Sequence, residues 1–228
     1  MKIYGLQKMT LLDFPGKVAC TGFLNGCDFR CPFCHNYGLA IGAEQPVMEE
    51  EELLRFLEKR KGLLDGVAFT GGEPCLHHDL PRLIARIKAM GYAVKLDTNG
   101  YHPKMLEKLL PEVDYVAMDI KNSPEKYAVS CGVERLDMSV IEESIRLLKE
   151  RVAPFEFRTT VVKELHCAKD FEKIGPMIEG SENYYLQSFV DRVSVPFGNL
   201  HAPEKEDLLR YAEIVRPYVK NIQIRGIE

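Results

Sequence analysis

The chain reads as an α/β protein built on one parallel sheet. Short apolar runs alternate with longer amphipathic segments about six times, and that order calls for parallel strands joined by right-handed crossovers. No linker composition or low-complexity stretch interrupts the 228 residues. Polar or glycine-rich residues follow each apolar run, at the end of the strand where function collects in parallel β/α sheets. Periodicity leaves two forms open, a doubly wound sheet and a sheet curved into a barrel. With 46% hydrophobic residues the chain supports one sizeable core, so a single domain over 1–228 is expected.

The first predicted strand, 17–24, leads into a cysteine-rich loop. Leu53, Leu54 and Leu57 recur at helical spacing within 49–61. Residues 66–70 read as a strand ending at Gly71-Gly72-Glu73-Pro74. Asp79 is a candidate cap for a helix with Pro81 near its start, and Gly91 ends that helix after Met90. A strand at 93–98 ends in Asp97-Thr98-Asn99-Gly100, followed by a short helix at 103–110 and a strand at 115–121. Asp137 caps a helix to about 150, with Val140, Ile141, Ile145, Leu147 and Leu148 mostly on one side. Strands at 155–162 and 184–190 carry Arg158, Thr159, Thr160, Gln187 and Ser188. Helices at 170–178 and 203–216 and a last strand at 219–225 complete the pattern.

Composition narrows the function. The net charge is −4, with 30 basic and 34 acidic residues mixed along the chain, so nucleic acid is not expected as a partner. No apolar run reaches membrane-spanning length, and the N-terminal segment lacks the apolar stretch of a signal peptide. A cytoplasmic protein without membrane partners is expected. Seven cysteines, an odd number, argue against a secreted disulfide scaffold. Cys20, Cys75, Cys131 and Cys167 are scattered and expected to be small buried hydrophobes.

The other three cysteines are clustered. Cys27, Cys31 and Cys34 share one segment with Phe33, His35 and Asn36, and no fourth cysteine lies nearby. Three thiolates can hold three irons of a four-iron cluster and leave the fourth open to a non-protein ligand. Zinc is the rival, but its fourth ligand would have to be His35, and adjacent residues rarely reach one tetrahedral ion. His77-His78 beside Cys75 read as a solvated loop.

The Cys27-x-x-x-Cys31-x-x-Cys34 spacing followed by Gly71-Gly72-Glu73-Pro74 resembles the radical S-adenosylmethionine (SAM) enzymes. Within them the chain looks most like the glycyl-radical activating enzymes, above all the activators of anaerobic ribonucleoside-triphosphate reductase. The stretch from Leu11-Leu12-Asp13-Phe14-Pro15-Gly16 through Cys34-His35-Asn36 carries much of that closeness. The resemblance implies a partial (β/α)6 TIM-like barrel and one 4Fe–4S cluster on Cys27, Cys31 and Cys34. It implies SAM chelated at the open iron and cleaved by one electron to methionine and a 5′-deoxyadenosyl radical. The substrate would be a glycine of a glycyl-radical enzyme, and the electron would come from a flavodoxin- or ferredoxin-type donor.

Residue by residue, the resemblance places Gly71, Gly72 and Glu73 at the methionine amino group and Asp97 at the ribose. Asp119 and Lys121 would lie beside SAM, and Asn36 would help hold it. Phe33 fills the aromatic position near the adenine. Arg158 is a fork for the SAM carboxylate. Each has a plainer reading as a turn, a core side chain or a strand-end ion pair. Gln187 stands where pyruvate formate-lyase activators have a histidine, which favours the reductase activators. No further cysteine lies between Cys34 and Gly71, so one cluster is expected. Two rivals remain: a radical SAM enzyme acting on a pterin- or nucleoside-like molecule, closed over by 199–201, and a non-catalytic iron–sulfur or zinc-binding module.

Overall fold

The computed structural model describes residues 1–151 and 153–226. A two-stranded antiparallel ribbon pairs β1 (Lys2–Ile3) with β4 (Met48–Glu49). The main sheet has eight strands: β2 (Gly5–Thr10), β3 (Ala19–Leu24), β5 (Gly66–Gly71), β6 (Ala93–Thr98), β7 (Tyr115–Asp119), β8 (Phe155–Val161), β9 (Asn183–Ser188) and β10 (Asn221–Arg225). The helices are α1 (Tyr37–Ala40), α2 (Glu50–Lys59), α3 (Leu80–Ala89), α4 (Pro103–Leu109), α5 (Tyr127–Cys131), α6 (Met138–Glu150), α7 (Ala168–Met177) and α8 (Lys205–Val215).

Strand order settles the choice that periodicity left open. From β3 to β10 every neighbouring pair is parallel, and the order follows the chain without reversing. A doubly wound sheet reverses at a switch point. Right-handed crossovers that never reverse put all the helices on one face. The other face is left to line an interior, as in a partial barrel.

The two faces differ in chemistry. Val67, Phe69, Val94, Leu96, Val116, Met118, Phe157 and Leu186 are fully buried and point toward the helices. There they meet Leu83, Ile84 and Ile87 of α3, Ile141, Ile145 and Leu148 of α6, and Phe171 and Ile174 of α7. These helical residues recur at three- and four-residue intervals, as one buried stripe requires. Each such side chain is worth about 1.5–3 kcal/mol on burial. Their neighbours in sequence, Lys95, Asp97, Asp119, Arg158 and Thr160, alternate to the interior face, because successive strand side chains point opposite ways. Phe14 closes the interior beneath the strand starts. It packs 6.3 Å from Tyr115, and a Cβ on Gly66 would come within 2.9 Å of its ring.

Several expectations are corrected. β1, β2 and β4 were not predicted. β1 and β4 are two residues each, and β2 (Gly-Leu-Gln-Lys-Met-Thr) is a half-exposed edge strand without an apolar run. Lys17 and Val18 precede the first parallel strand, which starts at Ala19. Lys121 lies beyond β7, which ends at Asp119. Asp79 adopts helical backbone angles and makes no side-chain cap bond, whereas Asp137 does cap, accepting from Ser139 N–H at 3.0 Å. Cys20, Cys75 and Cys131 are buried, but Cys167 is exposed at the start of α7. Among the described residues no helix is long and apolar enough to cross a membrane.

Candidate active site

A cavity of about 410 Å³ opens at the C-terminal ends of the strands. Cys27, Cys31, Phe33, Cys34, Asn36, Gly71, Gly72, Glu73, Asp97, Asp119, Lys121 and Arg158 all line it. Asn199, Leu200 and His201 do not. His201 is instead tied to Glu164, whose carboxylate accepts from its backbone N–H at 2.9 Å and lies 2.6 Å from its Nδ1.

The cysteine loop and the glycine loop are built against each other. Gly26 turns the chain with φ 84° and its N–H donates to Leu39 at 2.8 Å. Glu73 N–H donates to the Gly26 carbonyl at 2.7 Å. A Cβ on Gly72 would stand 2.0 Å from that carbonyl oxygen, and one on Gly71 would stand 2.5 Å from Leu24 O. These glycines are therefore required by the backbone of β3 and the cysteine loop, before any ligand is considered. Asn36 reaches the same place, donating from Nδ2 to Gly71 O at 3.1 Å.

Glu73 is buried and braces two loops. Its Oε1 accepts from Cys75 N–H at 2.9 Å and Thr98 Oγ1 at 2.8 Å, and its Oε2 accepts from Asn99 N–H at 2.7 Å. Burial raises its pKa against the pull of these donors. Thr98 and Asn99, at the end of β6, are thus built into the site through Glu73.

The opposite wall is a ladder of alternating charges. Lys95, 3% exposed in its side chain, pairs with Asp97 Oδ1. Arg158 donates from Nη2 to Asp97 Oδ2 at 3.2 Å and from Nε to Asp119 Oδ1 at 2.5 Å. Lys121 Nζ pairs with Asp119 Oδ2 at 2.7 Å and lies 5.9 Å from the Phe33 ring centroid. Burial alone would raise both aspartates, but Arg158 with Lys95 or Lys121 outweighs it and holds both below the usual carboxylate range. The ladder carries three cations and two anions. Among the described residues nothing engages Arg158 Nη1. The wall therefore presents donors to an anionic group.

The thiols face this wall. Burial pushes Cys27 up to about 12 and also raises Cys34, while a hydrogen bond with Cys131 draws Cys31 down to about 7. Arg30 N–H donates to Cys131 O at 2.8 Å, so the end of α5 is docked on the loop. All three thiols are free. Among the described residues no three His, Cys, Asp or Glu side chains are grouped to clamp a single metal ion. Three free thiols on one loop suit a four-iron cluster, in which each thiolate takes a different iron. His35 is also engaged elsewhere: its Nε2 meets the Val190 carbonyl at 2.7 Å and its ring stacks on Phe189.

The cavity also holds residues that sequence reasoning did not assign. Gln7 of β2, Asp13, Phe23 and Phe29 line it. Asp13 accepts from Thr21 Oγ1 at 2.5 Å. Period-two alternation places Phe23 on the interior face, but Gln7 carried no signal because its strand was not recognised.

A partial barrel with three free thiols at its mouth and a cationic wall opposite defines a class. Residues 22–166 match the Radical SAM superfamily, and the chain belongs to it. Over 99% of its length the chain is 32% identical to "Putative glycyl-radical enzyme activating enzyme MJ1227" of Methanocaldococcus jannaschii, covering 96% of that protein. It is 35% identical to the pyruvate formate-lyase-activating enzyme of Clostridium pasteurianum over 53% of this chain and 52% of that one. The chain is a radical SAM oxidoreductase that stands with the glycyl-radical enzyme activating enzymes, and its cofactors are a 4Fe–4S cluster and SAM. In fold it resembles Streptococcus suis SuiB bound to S-adenosylmethionine, with a TM-score of 0.68 at 16% identity over 89% of this chain and 49% of that one. A domain of pyruvate-formate lyase-activating enzyme from Bacteroides vulgatus gives 0.57 at 20% identity, over 71% of this chain and 99% of that one.

Proposed function

We propose that this protein generates a glycyl radical on anaerobic ribonucleoside-triphosphate reductase, working as one radical SAM domain over residues 1–228 in the cytoplasm. The observation that carries the reading is the convergence of twelve sequence-predicted residues on one cavity beyond the strand ends. The choice of partner rests on the resemblance, in which pyruvate formate-lyase activators have a histidine in the region of Gln187, a residue that lines the cavity.

Cys27, Cys31 and Cys34 would each hold one iron. When bound, the cluster supplies one electron, passed on from a flavodoxin- or ferredoxin-type donor, for cleavage of SAM to methionine and a 5′-deoxyadenosyl radical. The chain's own residues hold SAM in register. Arg158 Nη1 and Lys121 Nζ would donate to the methionine carboxylate, while Asp119 and Asp97 hold Arg158 through Nε and Nη2 and Asp119 holds Lys121. The Gly71-Gly72-Glu73 loop would lie at the amino group, where the lone-pair capacity left on Glu73 Oε2 would accept a hydrogen bond. Asp97 would accept from a ribose hydroxyl in addition to its two cations. Asn36 buttresses the loop, and Phe33 packs against the adenine.

The test is anaerobic reconstitution, reduction and measurement of 5′-deoxyadenosine, with and without the reductase. Reductase-dependent turnover and a glycyl-radical EPR signal on that partner are expected. Cys31→Ala should lower SAM cleavage by more than about 1,000-fold, since the electron route is lost. Full activity in Cys31→Ala would sink the cluster assignment. Turnover driven by a pterin- or nucleoside-like compound without any protein would replace the activator reading with a small-molecule enzyme.

A further inference from the structure

Lys121 stands two residues beyond the end of β7, where the strand ladder no longer fixes it. A buried polar clasp between the connections after β7 and after β8 does so instead. His166 is 4% exposed, and its Nε2 lies 3.0 Å from the Lys121 carbonyl oxygen. A carbonyl only accepts, so Nε2 carries the proton. Nδ1 lies 3.1 Å from Val162 N and 3.2 Å from Val162 O, and in a neutral ring protonated at Nε2 it accepts from the Val162 N–H. Burial lowers the His166 pKa, which agrees with a neutral ring. Next in sequence, Asn122 Nδ2 donates to Ser130 Oγ at 2.8 Å and to Leu165 O at 3.1 Å. Ser123 Oγ then donates to Asp170 at 3.1 Å, and Lys126 pairs with the same carboxylate at 2.8 Å.

Of these residues only Lys121 lines the cavity. The clasp therefore sits behind the site and acts on it through one backbone. Peptide planarity couples the direction of the Lys121 carbonyl to the path of its backbone, and so to where its side chain starts. We propose that His166 is a positioning residue for Lys121: by holding the Lys121 carbonyl it aims the ammonium at the anionic end of the bound cofactor. The proposal rests on the reading of this cavity as the SAM site.

Two near-isosteres separate positioning from general support. His166→Gln keeps a donor close to the Nε2 position. His166→Asn places its amide near Nδ1 and loses the bond to Lys121. SAM affinity is measured by calorimetry on the anaerobically reconstituted, unreduced holoenzyme, together with urea unfolding of each variant. His166→Asn should weaken SAM about tenfold and His166→Gln less than about twofold, as loss or retention of one buried hydrogen bond predicts. The tenfold loss should vanish in a Lys121→Met background, because the two residues act as one unit. Equal losses in Asn and Gln, or an undiminished loss in the Lys121→Met background, would overturn the proposal. If His166→Asn does not fold, the Gln variant decides: near-wild-type affinity supports positioning and a tenfold loss overturns it. Absence of SAM binding by the wild type would overturn the cavity assignment and this proposal with it, whereas binding with Asn and Gln alike removes this proposal alone.

Discussion

Two ionic networks sit on opposite sides of the barrel wall. Outside, Glu50 accepts from the Met1 amino group at 3.0 Å, from Arg82 at 2.7 Å and from Arg86 at 2.6 Å. It binds the N-terminal ribbon, α2 and α3 together, around a single carboxylate whose acceptor capacity is used up. Inside, Lys95, Asp97, Arg158, Asp119 and Lys121 also pair with one another, but two of the ladder's cations, Arg158 and Lys121, face a cavity. Ion pairs by themselves do not mark a site. The open side of the second network does, because its leftover donors have somewhere to point.

The largest effect that would sharpen this contrast is expected from Arg158→Met. It leaves Asp97 and Asp119 with one cation each inside the barrel, at a cost of about 3 kcal/mol in urea unfolding. It should also raise the SAM dissociation constant more than about tenfold, since a charge-assisted fork is lost. Unchanged affinity would erase the distinction between the networks.

Glu50→Gln should cost about 2 kcal/mol at pH 7 and move SAM affinity less than about twofold. Burial pushes the Glu50 carboxyl up, but the bonds from Met1, Arg82 and Arg86 win and hold it at about 2. A depressed carboxylate contributes stability that is fully present above the unfolded value of about 4.3 and is lost as pH falls through the folded one. The gap between wild type and variant should therefore narrow below about pH 4.3 and close near pH 2. A pH-independent gap would mean that Glu50 acts through packing instead of charge.

The smallest effect is expected at a third, fully exposed network, in which Arg146 of α6 pairs with Glu143 and Glu150. Solvent screens such pairs, so Arg146→Ala should leave both the unfolding midpoint and SAM affinity unchanged.

Much of this was legible in the sequence, for reasons that can be located. The strand at Ala93–Thr98 was read with its bounds unchanged, because its apolar residues alternate with residues that face an interior. β2 was missed because an edge strand exposed on one side need not show an apolar run. The glycine pair was read as room for a ligand, yet its missing side chains are filled by Leu24 and Gly26 of the chain itself. Lys95 carries no signal in the sequence that sets it apart; only the structure gives it Asp97 as a partner.

What the sequence by itself determined is local: three thiols within one loop, the glycine turn after one strand, and helices and strands whose periods of 3.6 and 2 are written in neighbouring residues. What only the tertiary structure decided is register across the sheet. Asp97 and Arg158 are 61 residues apart, and Asp119 and Arg158 are 39 apart. They meet because β7 pairs Asp119 with Arg158 and β6 pairs Asp97 with Ala117. Likewise His166 reaches Lys121 across 45 residues. Short-range patterns choose elements, but which charges share a wall depends on how strands align, and that alignment is fixed by packing of the whole sheet.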